Sequence, residues 1–307
     1  MFSGAQWRSN PDLADRRQQA WDRATLLHWR RLLNHHPPAE LGLELCPAEF
    51  YWDAPVPVDS IQESHWWLTD RELVPVRMLS PNECSDKGFP SSVGLSYQTV
   101  AVNPGLYCMW LLRQCESAIG ARFVRRTVHV KSLMEALQAV PGAQALVNCA
   151  GLGAQALAHD MACFPTKGQT VLVRGKAHAV ITWRNEQGDE PWEALVIPRP
   201  GERVTTLGGC KFAGDWDTEP IEHMTKTILD RCKPLAPELL NKKGEFEVLA
   251  VRVGLRPSRK GGPRVETEEL GDGRLLVHNY GHNSAGFEGS VGAAEDVAAL
   301  LLNHLEN

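Results

Sequence analysis

No stretch of this chain approaches the roughly 18 consecutive apolar residues that a membrane-spanning helix requires, so nothing in it reads as a membrane partner. An excess of positive charge is also missing. With a net charge of −5 and a pI near 6.1 there is no electrostatic case for nucleic acid or for an acidic membrane surface. The 8 cysteines contain no Cys-x-x-Cys pair, and 307 residues bury a full core without a disulfide framework, so they read as reduced structural thiols. No metal site is expected: His35-His36, before Pro37-Pro38, has no carboxylate or cysteine spaced to complete one. Ser-His-Asp, Cys-His and paired-carboxylate constellations are absent too. The opening MFSGAQWRSN lacks the charged segment and apolar core of a secretory signal. There are no internal repeats, low-complexity tracts or long linkers.

What is present is an ordinary globular composition, 43% hydrophobic and 22% charged. Asn10-Pro11 predicts the start of a helix, with apolar residues at helical spacing up to the His35–Pro38 break. Trp7, Trp21 and Trp29 read as packing residues. Between 41 and 96 prolines break the pattern and short runs predict strands. Thr99–Val102 reads as a strand into a helix from Pro104 to about Ile119, and Arg122–Val130 and Ala145–Asn148 as further strands. The run 168–175, His178–Trp183 and a hairpin of Ala194–Ile197 with Val204–Leu207 follow. A helix over Pro220–Cys232 and a strand over Phe246–Val253 complete this part.

The densest chemistry lies in Val253–Leu302. Arg256, Arg259, Lys260 and Arg264 precede a strand at Leu275–His278, a small-residue loop at Tyr280–Gly292 and a helix from about Ala293. Strand, glycine-bearing turn and helix form an anion or cofactor site when free N–H groups and the helix's positive end point into the loop. An arginine nearby can hold a carboxylate by two parallel hydrogen bonds. Gly151-Leu152-Gly153, after the strand ending at Asn148, is a second turn of this kind, or simply a tight connection.

VGLRPSRKGGPRVE followed by HNYGHNSAGFEGSVGAAEDVA resembles the C-terminal signature of the D-amino-acid oxidases, most closely the fungal type, and NCAGLGA resembles another of that family's segments. The resemblance covers essentially the whole chain. It implies an α/β fold in which a Rossmann-like FAD-binding domain (1–40, 99–167 and 251–307) interleaves with a sheet-rich substrate domain (41–98 and 168–250). It implies FAD as cofactor and oxidative deamination of a D-amino acid to a 2-oxo acid, with ammonia and hydrogen peroxide released and molecular oxygen as acceptor. The flavin carries the chemistry, so no catalytic side chain is expected. By the same resemblance Arg256, in GLRP, pairs with the substrate carboxylate, although a salt bridge to a nearby glutamate is the alternative. Ser284 and Lys211 join it at the substrate. Gly4, Ala5, Val128, Gly151, Gly153, Gly281, Ser284, Ala285, Gly286 and Phe287 lie at the flavin. The family is usually peroxisomal, but Leu305-Glu306-Asn307 is not a Ser-Lys-Leu-type ending, which leaves the cytoplasm open. A homodimer is an open alternative.

Three departures bear on activity. No strand runs into a G-x-G-x-x-G turn anywhere, so by this alignment a βαβ opening of at least ~30 residues is lacking. That leaves a truncated or non-catalytic member, not binding FAD productively, as the rival reading. The family's substrate tyrosines are replaced by Leu195 and Lys211, and Lys211 beside Arg256 would favour an acidic D-amino acid. Glu288 stands where fungal-type relatives often carry glutamine, either paired with Lys211 or turned to solvent.

Overall fold

In the computed structural model every residue is described except 1–3, 12, 54–60, 62–64, 90–91, 118–122, 186–191, 271–273 and 307. Among the described residues the strands are β1 Ala5–Gln6, β2 Leu43–Asp53, β3 Arg77–Met78, β4 Ser92–Val102, β5 Ala145–Asn148, β6 Cys163–Arg174, β7 Val180–Asn185, β8 Trp192–Pro198, β9 Val204–Gly208, β10 Phe212–Ala213, β11 Val248–Arg259, β12 Arg264–Glu269 and β13 Leu275–Tyr280. The long helices are α1 Arg16–Leu33, α2 Pro104–Ser117, α3 Glu222–Cys232 and α4 Ser290–Leu305. None is long and apolar enough to cross a membrane. All eight cysteines are free.

Ten strands form one sheet in the order β1-β4-β2-β7-β8-β9-β6-β10, with β11 also on β6 and β3 on β4. The other three, β12-β13-β5, form a small sheet in which β13 and β5 run parallel. The expected β8–β9 hairpin is present, with Leu195 opposite Gly208. β11 pairs with β6 from Val248↔Val173 to Arg259↔Cys163, so Arg256 lies within a strand rather than after one.

Cores form where tryptophans meet on α1 and the large sheet. Trp7, Trp29, Trp52 and Trp67 are at most 1% exposed. Three of their ring N–H groups find acceptors: Trp7 on the Asp22 carbonyl at 2.8 Å, Trp29 on the Tyr107 hydroxyl at 2.9 Å and Trp67 on the Ser9 carbonyl at 3.0 Å. A buried indole retained without such an acceptor would cost free energy. A second cluster joins Trp21 of α1 to Val265, Leu275 and Val277 of the small sheet and to Ala293 and Val297 of α4.

Two sequence expectations are corrected. Helix α1 begins at Arg16, not at Asn10-Pro11: Asp15 is the cap, accepting from the Gln18 N–H, while Asn10 donates its side-chain amide to the Arg8 carbonyl. The strand expected over Arg122–Val130 does not form within the described residues 123–130. Its alternating pattern finds no neighbouring strand to complete a ladder, and Phe123, Val124 and Val128 stand 55%, 53% and 47% exposed.

Candidate active site

A cavity of about 560 Å³ opens between the large sheet and the segments that follow β5 and β13, within the size range of small-molecule sites. Strand alternation selects its wall: Glu193, Leu195 and Ile197 of β8, Thr206 and Gly208 of β9, and Gly168 and Thr170 of β6 project in alternate order onto one face.

Arg256 reaches this face over Gly168. A Cβ built on Gly168 would stand 2.2 Å from an Arg256 guanidinium nitrogen, so only glycine leaves room for that conformation. The guanidinium donates to the Cys210 carbonyl at 3.2 Å, and among the described residues it forms no salt bridge. Burial pushes its pKa down, opposed by Cys210 and Glu193; an arginine still stays charged. Among the described residues the salt-bridge alternative finds no carboxylate partner, and a half-buried cation faces the cavity.

Of the other expected residues, Gly4, Ala5, Lys211, Gly151, Gly281, Ser284, Gly286 and Phe287 line the same cavity; Val128, Gly153 and Ala285 do not. Val128 belongs to the unpaired 123–130 segment. Gly281 has φ +84° and would drive a Cβ to 2.8 Å from Arg259, so the turn into the 283–286 loop needs glycine.

The expected role of the α4 amino end is also corrected. The N–H groups of Val291 and Gly292 donate to the Thr25 hydroxyl at 3.0 and 3.4 Å, so α1 plugs the helix's positive end from within. Close packing enforces this, because a Cβ on Gly292 would stand 2.3 Å from the Trp21 Cα.

Residues that sequence reasoning passed over complete the wall. Arg8 is buried at 6% exposure, donating to the Thr182 hydroxyl at 2.8 Å and to Glu193 at 3.0 Å, with its guanidinium 4.9 Å from the Phe50 ring centre. Glu193 also takes Arg184 at 2.7 Å and approaches the Lys211 ammonium at 3.9 Å. Although burial pushes the Glu193 carboxyl up, Arg8, Lys211 and Arg184 outweigh it and hold it well below the usual carboxylate range. Lys211 feels Glu193 favouring its charge, but burial and the cations Arg8, Arg184 and Arg256 prevail and push it down. One signal was available in the sequence: Glu193 stands two residues before Leu195 and so shares its face.

Glu288 neither faces solvent nor forms an ion pair with Lys211 among the described residues. It is 6% exposed and accepts from the Arg8 backbone N–H at 3.3 Å. The buried oxygens Gln6 Oε1 and Thr206 Oγ1, both on cavity-lining residues, have no hydrogen-bond partner among the described residues.

Architecture gives the first step of classification. The two-sheet fold resembles glycine oxidase from Geobacillus kaustophilus, with TM-score 0.72 and 18% identity over 98% of this chain and 84% of that one. It also resembles L-proline dehydrogenase from P. horikoshii, with TM-score 0.71 and 13% identity over 98% and 82%. These likenesses define the fold alone. Residues 2–300 match the DAO family model, FAD dependent oxidoreductase. Curated relatives include a D-aspartate oxidase of Talaromyces thermophilus, 32% identical over 98% of this chain and 78% of its own length, and a D-amino-acid oxidase of Fusarium vanettenii, 28% identical over 98% and 84%. The chain belongs to this family of FAD-dependent oxidoreductases, and its cofactor is FAD. The cavity fits the ring end of that group: its glycine-rich wall admits a flat ligand closely, and Gln6 and Thr206 offer unused polar atoms to a hydrogen-bonding edge.

Proposed function

We propose that this chain oxidises D-amino acids by FAD-dependent oxidative deamination, giving a 2-oxo acid, ammonia and hydrogen peroxide, with molecular oxygen as acceptor. The observation that carries the reading is Arg256, a cation lining the cavity with no salt bridge among the described residues. Gly168 and the Cys210 carbonyl hold its fork in place, so a substrate carboxylate finds its donors already oriented. Bound FAD supplies the hydride acceptor. Leu195 and Ile197 turn apolar surface to the substrate and exclude water from its Cα. In this reading Ser284, with Gly4, Ala5, Gly151, Gly281, Gly286 and Phe287, forms the remaining wall around ring and substrate. The small sheet with α1 and α4 belongs to the cofactor-binding part (1–40, 99–167 and 251–307), and 41–98 with 168–250 forms the substrate part.

Lys211 supports a finer reading. Glu193 pairs with Arg8 and Arg184 and approaches Lys211, and the lining cations Arg8, Lys211 and Arg256 outnumber this one strongly ionised lining carboxylate. A substrate with a second carboxylate, an acidic D-amino acid, matches that excess. The purified chain, reconstituted with FAD if necessary, is expected to show flavin absorption and to form hydrogen peroxide with a D-amino-acid panel. A colourless chain that takes up no FAD refutes the enzyme, and faster turnover of D-alanine than of D-aspartate refutes the acidic preference.

A further inference from the structure

Glu288 lines the cavity, and behind it on α1 lies Asp22; they are 6% and 2% exposed. The dipeptide Arg8-Ser9 serves both carboxyls. The Arg8 backbone N–H donates to Glu288 at 3.3 Å, and the Ser9 hydroxyl donates to Asp22 at 2.6 Å. The chain at Gly289 brings the two sites together, since a Cβ there would stand 2.9 Å from an Asp22 carboxylate oxygen. Among the described residues neither carboxyl has a salt bridge, because the Arg8 guanidinium is turned to Thr182 and Glu193.

Two buried carboxylates with neutral donors and no ion pair cannot both stay ionised: desolvation penalises each charge, and each charge penalises the other. Burial pushes both carboxyls up, and the Asp22 charge adds to the rise at Glu288. The charged or titratable groups facing Glu288 are Arg8 beside β1, Asp22 on α1, Tyr97 on β4 and Lys211 on the loop after β9. The cations Arg8 and Lys211 oppose the rise without reversing it.

We propose that Asp22 and Glu288 share one proton in the folded protein at neutral pH, and that Glu288 carries it, facing the cavity as an O–H donor to a carbonyl or ring-nitrogen acceptor of the bound ligand. Glu288 is then a positioning residue that adds a donor without adding negative charge to a site built for a carboxylate. Its partner in the ligand rests on the FAD reading above; the shared proton does not.

Infrared spectroscopy of the chain without FAD at neutral pH tests the proton directly. A protonated carboxylic-acid C=O band is expected in the wild type, lost in Glu288→Gln and kept in Asp22→Asn. Absence of the band from the wild type, or its loss in Asp22→Asn alone, overturns the proposal. FAD affinity, read from flavin fluorescence between neutral and alkaline pH, tests the donor. The wild type is expected to weaken about ten-fold as Glu288 ionises, the worth of one such hydrogen bond. Glu288→Gln, whose amide still donates, is expected to hold its affinity, and Asp22→Asn to weaken from a lower pH. An equal pH response in wild type and Glu288→Gln overturns the donor role. A chain that binds no FAD refutes the cofactor reading, while the infrared comparison still decides the shared proton.

Discussion

Gly168→Ala tests the central feature of the site with one added methyl group. Gly168 sits in β6 opposite Gly254, and its backbone has no positive φ, so alanine meets no conformational obstacle there. The new Cβ would stand 2.2 Å from one Arg256 guanidinium nitrogen, and contact becomes ordinary only at 3.4 Å, so the fork must retreat by 3.4 − 2.2 = 1.2 Å. The atoms displaced are the tip of a flexible side chain, so the strain relaxes by moving the arginine and the thermal midpoint should hardly change. A misplacement of roughly 1 Å at a binding group costs on the order of 100-fold in rate. Loss of a charge-assisted pair worth about 1.5–3 kcal/mol gives roughly 10- to 150-fold. Steady-state assays of peroxide formation should therefore show kcat/KM for the preferred D-amino acid reduced by about 10- to 100-fold. The decrease should lie mainly in KM. Wild-type KM with an unchanged melting curve would mean that Arg256 does not grip the substrate; a collapsed melting curve would place the constraint in strand pairing.

Four further outcomes follow from the same geometry. Gly292→Ala drives its methyl to 2.3 Å from the Trp21 Cα and 2.8 Å from its carbonyl oxygen, backbone atoms that cannot rotate away. Chemical denaturation should show a loss of about 3 kcal/mol or more, and wild-type stability would contradict the α1–α4 packing. Glu193→Ala strips the buried Arg8 of its carboxylate and should cost roughly 3–5 kcal/mol by the same measurement. Lys211→Met should lower the D-aspartate to D-alanine ratio of kcat/KM by about ten-fold, and an unchanged ratio would remove Lys211 from substrate recognition. His282 is pushed from 6.5 down to about 4 by burial, with a ring nitrogen 2.7 Å from the Asn279 side-chain oxygen. The unfolded chain binds this proton at higher pH than the folded one, so its stabilisation is complete above about pH 6.5 and is lost as pH falls towards 4. The loss is at most about 3 kcal/mol; His282→Gln should flatten that part of the stability–pH curve, and an unaltered slope would refute the assignment.

Much of the fold was legible because its signals are local. The β8–β9 hairpin, the helix opening at Pro104 and a strand leading towards the GLRP arginine follow from alternation, proline placement and glycine punctuation. Where local signals misled, a neighbour decided. Residues 123–130 have the alternation of a strand, but a strand also needs a partner to bond with. Asn10-Pro11 has the chemistry of a helix start, yet the Asn10 side-chain amide is used on the Arg8 carbonyl and Asp15 caps the helix.

By itself, then, the sequence determined many of the longer strands, the membership of an FAD-dependent family and the position of Arg256 among small residues. Tertiary structure alone decided which groups surround it. Arg8 meets Glu193 across 185 positions and Glu288 across 280, and Thr25 plugs a helix 266 positions away. No spacing rule reaches so far, because such contacts arise from how sheets and helices pack rather than from their periods. The glycine-bearing loop before α4 looked like an open anion site. Packing closed the helix end behind it and lined the cavity with residues converging from six separate strands.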